Sequence, residues 1–76
     1  MIKLDVWWSP VAQCWRVEDH ELFTYYDLDL VIAHFRNRDR PAAALLVPPP
    51  HDMHTAMLDL ALRRAGVSIV YTEVRP

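Results

Sequence analysis

Apolar and polar residues alternate over residues 1–8. Ile2, Leu4, Val6 and Trp8 fall on one side of an extended chain, and Lys3, Asp5 and Trp7 on the other. That period predicts a half-buried strand. Ser9-Pro10 predicts a turn. Residues 13–18 then resume the alternation, with Trp15 and Val17 set against Cys14, Arg16 and Glu18. The joint is too short for a crossover, so the two strands are expected to pair as an antiparallel hairpin. The polar run Glu18-Asp19-His20-Glu21 reads as a second, solvated turn, and residues 22–25 as a candidate third short strand.

The period then changes. Leu28, Val31, Ile32 and Phe35 recur at helical spacing and make one core stripe, with His34 and Asn37 off it. Asp27 is the expected N-cap with Asp29 in the first turn, and Thr24 with Asp27 is a rival capping box one turn earlier. Arg36, Arg38 and Arg40 close this helix and Pro41 ends it. Residues 42–47 (AAALLV) are an unbroken apolar run, as in a parallel strand buried on both faces. Pro48, Pro49 and Pro50 stop it. Asp52 is the expected N-cap of a helix over residues 53–65, and Gly66, the only glycine, stands at its C′ position. Residues 67–74, rich in β-branched side chains, predict a last strand. Strand, helix and strand should form a right-handed parallel crossover. The order predicts one α/β domain over residues 1–76, an α+β two-layer sandwich. Its β-hairpin and candidate third strand lead into α-β-α-β, a mixed sheet with two helices on one face.

The second helix is apolar around most of its circumference. Met53, Met57 and Leu60 share one side, Leu58, Leu62 and Ala65 another, and Thr55, Asp59 and Arg63 form a polar ridge between them. One sheet needs only one apolar stripe. The surplus is expected to meet the neighbouring helix, or else a second subunit or a partner.

Composition narrows the function classes. Seventy-six residues are near the lower size limit for a self-sufficient core. The formal charge of −2 gives no global attraction to nucleic acid or acidic lipid. A single cysteine excludes an internal disulfide framework and fits a reducing, cytoplasmic setting. No apolar run is long enough to span a membrane. The opening MIKLDVWW lacks the layout of a signal peptide and reads as the start of a structured strand.

The second half, LLVPPPHDM followed by LDLALRRAGVSIVYTE, resembles the periplasmic domain of the ExbD/TolR biopolymer-transport proteins. That domain runs hairpin, helix, strand, helix, strand. It shares a short apolar strand, a proline-bearing joint, and a helix that ends in a basic residue and Ala-Gly before a β-branched strand. Members of that family carry an N-terminal membrane helix with an acidic residue used in proton-driven work, whereas this chain opens on the hairpin. The resemblance therefore implies the fold and a dimeric scaffold role, not transport.

Few residues form a chemical constellation. His51, Asp52 and His54 bring two imidazoles and a carboxylate into one joint, the donor types of a small metal-dependent enzyme. The i,i+4 histidine spacing that puts two ligands on one helical face is absent, and an N-cap flanked by solvated histidines is the simpler reading. Cys14 with His20 or His34 has the residue types of a nucleophile and base, without a spacing that joins them. Asp27/Asp29 suits a helix start, and Glu18/Asp19/Glu21 a solvated turn. With one glycine there is no phosphate cradle. No catalytic residue, metal or cofactor is expected.

The arginines and tryptophans say more. Arg36, Arg38 and Arg40 end one helix and Arg63 and Arg64 the other, which puts all five at one rim of the sheet. Trp7 and Trp8, being adjacent, point to opposite faces. Trp7 is expected on the face that the helices leave open, with Trp15 and Tyr25 or Tyr26 nearby. A non-enzymatic protein-binding module fits these features. It would dock on a larger protein or nucleoprotein complex, as small phage- or mobile-element-encoded inhibitors such as anti-CRISPR proteins do. Arg36, Arg38, Arg40, Arg63, Arg64, Trp7 and Trp15 are its expected contacts. Net negative charge and scarce lysine disfavour direct binding to nucleic acid. A homodimeric scaffold is the alternative.

Overall fold

A computed structural model of the chain describes residues 1–47 and 52–72. Seven elements follow one another: β1 (Ile2–Ser9), β2 (Cys14–Asp19), β3 (Glu21–Tyr25), α1 (Leu28–Arg36), β4 (Ala42–Leu46), α2 (Met53–Arg64) and β5 (Ile69–Tyr71). The strands make one mixed sheet in the order β3-β2-β1-β4-β5. The β1–β2 and β2–β3 pairs are antiparallel, and β4 lies parallel to both β1 and β5. The fold is the expected α+β two-layer sandwich with a third strand. The triple proline, His51 and the expected strand residues beyond Thr72 lie outside the described residues.

The helix ends follow from their caps. Asp27 accepts the Asp29 N–H at 2.9 Å, so α1 starts there and not at the Thr24 box. Asp52 accepts the Thr55 N–H at 2.7 Å and starts α2. At the other end of α2, Val67 N–H donates to Leu62 O and Gly66 N–H to Arg63 O. This six-to-one and five-to-two pair is a Schellman closure, and it needs the φ of +76° that Gly66 adopts. A Cβ added to Gly66 would meet nothing within 4 Å, so its cost is purely one of backbone conformation. Gly66→Ala is expected to destabilise the fold by about 1 kcal/mol in urea titration. An unchanged midpoint would contradict that account.

Both helices cover the same face. Val31 and Phe35 of α1 and Leu58 and Leu62 of α2 join Leu4, Val6, Trp15, Val17, Ala42, Ala44 and Leu46 in one core. The registers explain this membership. Trp8 lies opposite Trp15 and Val6 opposite Val17, while Leu4 sits beside Ala44, so all of them share one side of the sheet. Trp15, expected beside Trp7 on the open face, therefore lies instead on the helix-covered face, under α2. It meets Trp8 edge-on at 4.6 Å, and His54 of α2 stacks on Trp8 at 3.8 Å.

Candidate functional site

Alternation through β2 carries past Val17 to Asp19, which puts that carboxylate on the helix-covered face. Asp19 is only 7% exposed, so the solvated turn expected at Glu18–Glu21 is corrected. The turn is made instead by His20 alone, at a φ of +60° between Asp19 and Glu21. A carboxylate buried there needs partners. His34, one turn before Arg38 along the chain out of α1, approaches Asp19 Oδ2 with Nε2 at 3.0 Å, and Arg38 Nη1 pairs with the same oxygen. On its other side, His34 Nδ1 lies 2.7 Å from the Tyr25 hydroxyl. A carboxylate only accepts, so the neutral ring that satisfies both neighbours carries its proton on Nε2 and accepts from Tyr25 at Nδ1. His34 was placed off the core stripe by sequence, and it packs against Phe23, 4.8 Å away, as well.

The electrostatics follow from this geometry. Burial pushes the Asp19 carboxyl up, but the His34 hydrogen bond and the Arg38 guanidinium outweigh it and hold the group below the usual carboxylate range. Burial and the nearby Asp19 charge push the Tyr25 hydroxyl up, so it keeps its proton and donates. Tyr25, His34 and Asp19 have the layout of a nucleophile, a base and an orienting acid. The chain of bonds from Tyr25 through His34 to Asp19 ties β2 and β3 to α1. Beside it lies an open cleft of about 420 Å³, which Leu30, Ala33 and Asn37 border.

A second tie joins α2 to the sheet edge. Asp59, also 7% exposed, accepts from Arg63 Nε at 2.6 Å and from the Tyr71 hydroxyl at 2.7 Å, and Arg63 Nη2 donates to that hydroxyl. Burial raises the Asp59 carboxyl, and the Tyr71 and Arg63 bonds more than reverse it. The ridge of Thr55 and Asp59 thus faces inward. Met53, Met57 and Leu60 do not meet α1 as expected. They are 75%, 48% and 48% exposed.

The seven expected contact residues separate accordingly. Arg38 is spent on Asp19 and Arg63 on Asp59, and Arg38 and Arg40 lie past the end of α1 at Asn37. Arg36, Arg40 and Arg64 are exposed and make no ion pair among the described residues. The arginine rim is therefore three free cations, not five. Trp7 is half-buried on the open face, and Trp15 is buried under α2. Cys14 is buried on the opposite side of the sheet from His34 and is joined to neither histidine. Asp52 caps α2 and His54 stacks on Trp8, while His51 lies outside the described residues. Among the described residues no three His, Cys, Asp or Glu side chains are placed to hold a metal, and no helix is long and apolar enough to cross a membrane.

No protein-family model matches the chain, and no curated protein or solved structure matches it. The likeness to the ExbD/TolR domain rests on the residues quoted above alone.

Proposed function

We propose that the protein is a small non-enzymatic binding module that docks on a larger protein complex through the outer side of α2 and the arginine rim. One observation carries the reading. Met53, Met57 and Leu60 lie within a narrow stripe of α2, at 100° per residue, Met53 mostly in solvent and the other two half-exposed. Arg64 falls on the same stripe and leads to the rim that holds Arg36 and Arg40, because both helices end where β4 and β5 begin. An apolar helical stripe ending in free cations suits an apolar groove with an acidic border. Methionine adapts its shape to such a groove at little cost. Occupying a groove of this kind on a protein or nucleoprotein complex is how an inhibitor of the anti-CRISPR type would act, and it needs no chemistry from the module.

Affinity capture from lysate with the wild-type chain, Met57→Ser/Leu60→Ser and Arg36→Glu/Arg40→Glu/Arg64→Glu tests this. The expected result is a protein retained by wild type, lost from both variants, and released as salt rises. Equal retention by all three chains would exclude this surface. Capture of nucleic acid alone, lost only with the arginine variant, would exclude a protein partner.

A further inference from the structure

Met53, Met57, Leu60 and Arg64 follow one another along α2 at intervals of four, three and four residues, the heptad period of a helix seam. All four are exposed, on the opposite side of α2 from Leu58 and Leu62, which face the sheet. Ala56 and Ala61, both half-buried, flank the seam on its two sides. Two sockets result. Met53, Ala56, Met57 and Leu60 frame the first, and Met57, Leu60, Ala61 and Arg64 the second. Each has the i, i+3, i+4, i+7 outline that takes one knob from a facing helix. A bulky flank would fill its socket. Alanine leaves it open and lets a second helix axis approach to about 8 Å. The outside of α2 thus has the form of half a helix pair.

Building on the docking role proposed above, we infer that the element met by α2 is one α-helix of a partner protein, antiparallel to α2 and acidic in its first turn. The two sockets lie one helical turn apart, so two large apolar side chains at helical spacing fill both, whereas a flat apolar patch leaves both empty. The seam spans about 16 Å, which about three turns of the partner helix cover. Charge fixes the direction. Arg64 closes the second socket, and Arg36 and Arg40 continue the cationic rim beyond it. None of the three makes an ion pair among the described residues. Acids are most favourable in the first turn of a helix. An antiparallel helix brings that turn beside Arg64 and sets its dipole against that of α2. The partner segment then reads acid, apolar, apolar in chain order, each separated by the helical interval of three or four residues. A second copy of α2 does not offer this order. Its own first turn holds no acid, and Asp52 before it accepts from Thr55.

Selection of a displayed library of random peptides, about sixteen residues long, on the immobilised full chain tests the inference. Enriched peptides are expected to carry two large apolar residues at helical spacing, preceded at the same interval by Asp or Glu. One of them, made synthetically, should turn helical on binding by circular dichroism. Arg64→Glu is expected to weaken that peptide about tenfold and to favour a version with lysine in place of the acid. Ala61→Leu separates a socket from a merely sticky patch. It enlarges the apolar surface, so it tightens binding to a flat contact, but it fills the second socket and should weaken a helix knob about tenfold. The circular dichroism of each variant alone checks its fold. No enrichment, apolar residues two apart, an acid that follows the apolar pair, or a peptide that binds Ala61→Leu as well or better would each overturn the inference. Lysate capture through Met57 and Leu60 alongside any of these results would keep the docking surface and remove only the helix. Peptides of the expected order with no captured protein would support the helix as occupant and exclude a docking partner in that lysate.

Discussion

Replacing Asp19 with asparagine will cost the fold about 3 kcal/mol at neutral pH, read as the shift in a urea unfolding curve. The carboxylate takes His34 and Arg38 together, and Arg38 is itself mostly buried. The Arg38 Nε is already buried without a partner among the described residues. Removing the Asp19 charge leaves that largely buried guanidinium without its counter-charge. The pH dependence has a definite sign. The carboxyl is held below its ordinary value in the fold. Its contribution is therefore complete above the unfolded value of 3.8 and is lost as pH falls through the lower folded value. The gap between wild type and Asp19→Asn is expected to be constant from neutral pH down to the ordinary aspartate range and to close below it. A gap under about 1 kcal/mol at neutral pH, or one that widens in acid, would show that the tie is not electrostatic.

Leu62→Ala will be almost as costly, about 3 kcal/mol, and Leu60→Ala will cost next to nothing. Leu62 is fully buried between α2 and the sheet, where lost contacts and the remaining cavity add together, while Leu60 stands half in water. The pair reads out which side of α2 faces the core. Equal destabilisation would mean that the outer stripe is covered in solution by something other than a docking partner. A large loss of capture by Leu60→Ala with stability unchanged is the outcome that separates binding from folding at this helix.

Most of the fold was legible because it is written in local signals. Asp27, Asp52 and Gly66 fix three helix ends through bonds that span only a few residues. The alternation of Leu4, Val6 and Trp8 needs no knowledge of distant partners. The rotation of α2 was harder, since Thr55, Asp59 and Arg63 look like a wet ridge until Tyr71 arrives to receive it. The Asp19 tie was missed for the same reason at longer range: its members come from β2, β3, α1 and the loop beyond. A signal for it was present. Extending the Trp15–Val17 alternation by one step puts Asp19 inward, and His34 and Arg38 are spaced one helical turn apart on the segment that must pack there. Trp15 shares a face with its register partners Trp8 and Tyr25 and not with Trp7, a parity that the strand alternation carries and the clustering of aromatics hides.

The central place of β1 also governs how the chain folds. Its neighbour on one side, β2, is reached through a tight turn, but on the other side Ile2 pairs with Ala42, across the hairpin, β3 and α1. Neither half of the molecule closes the core alone: Val6 and Val17 come from the first part, Leu58 and Leu62 from the second. Loop-closure entropy must be met before any of those contacts form. The pairing of β1 with β4 is therefore the step expected to set the folding rate, and Ala44→Gly, on that pairing, should slow refolding in a stopped-flow measurement. If the bond of Tyr71 to Asp59 forms after that step, Tyr71→Phe will speed unfolding and leave the folding rate unchanged.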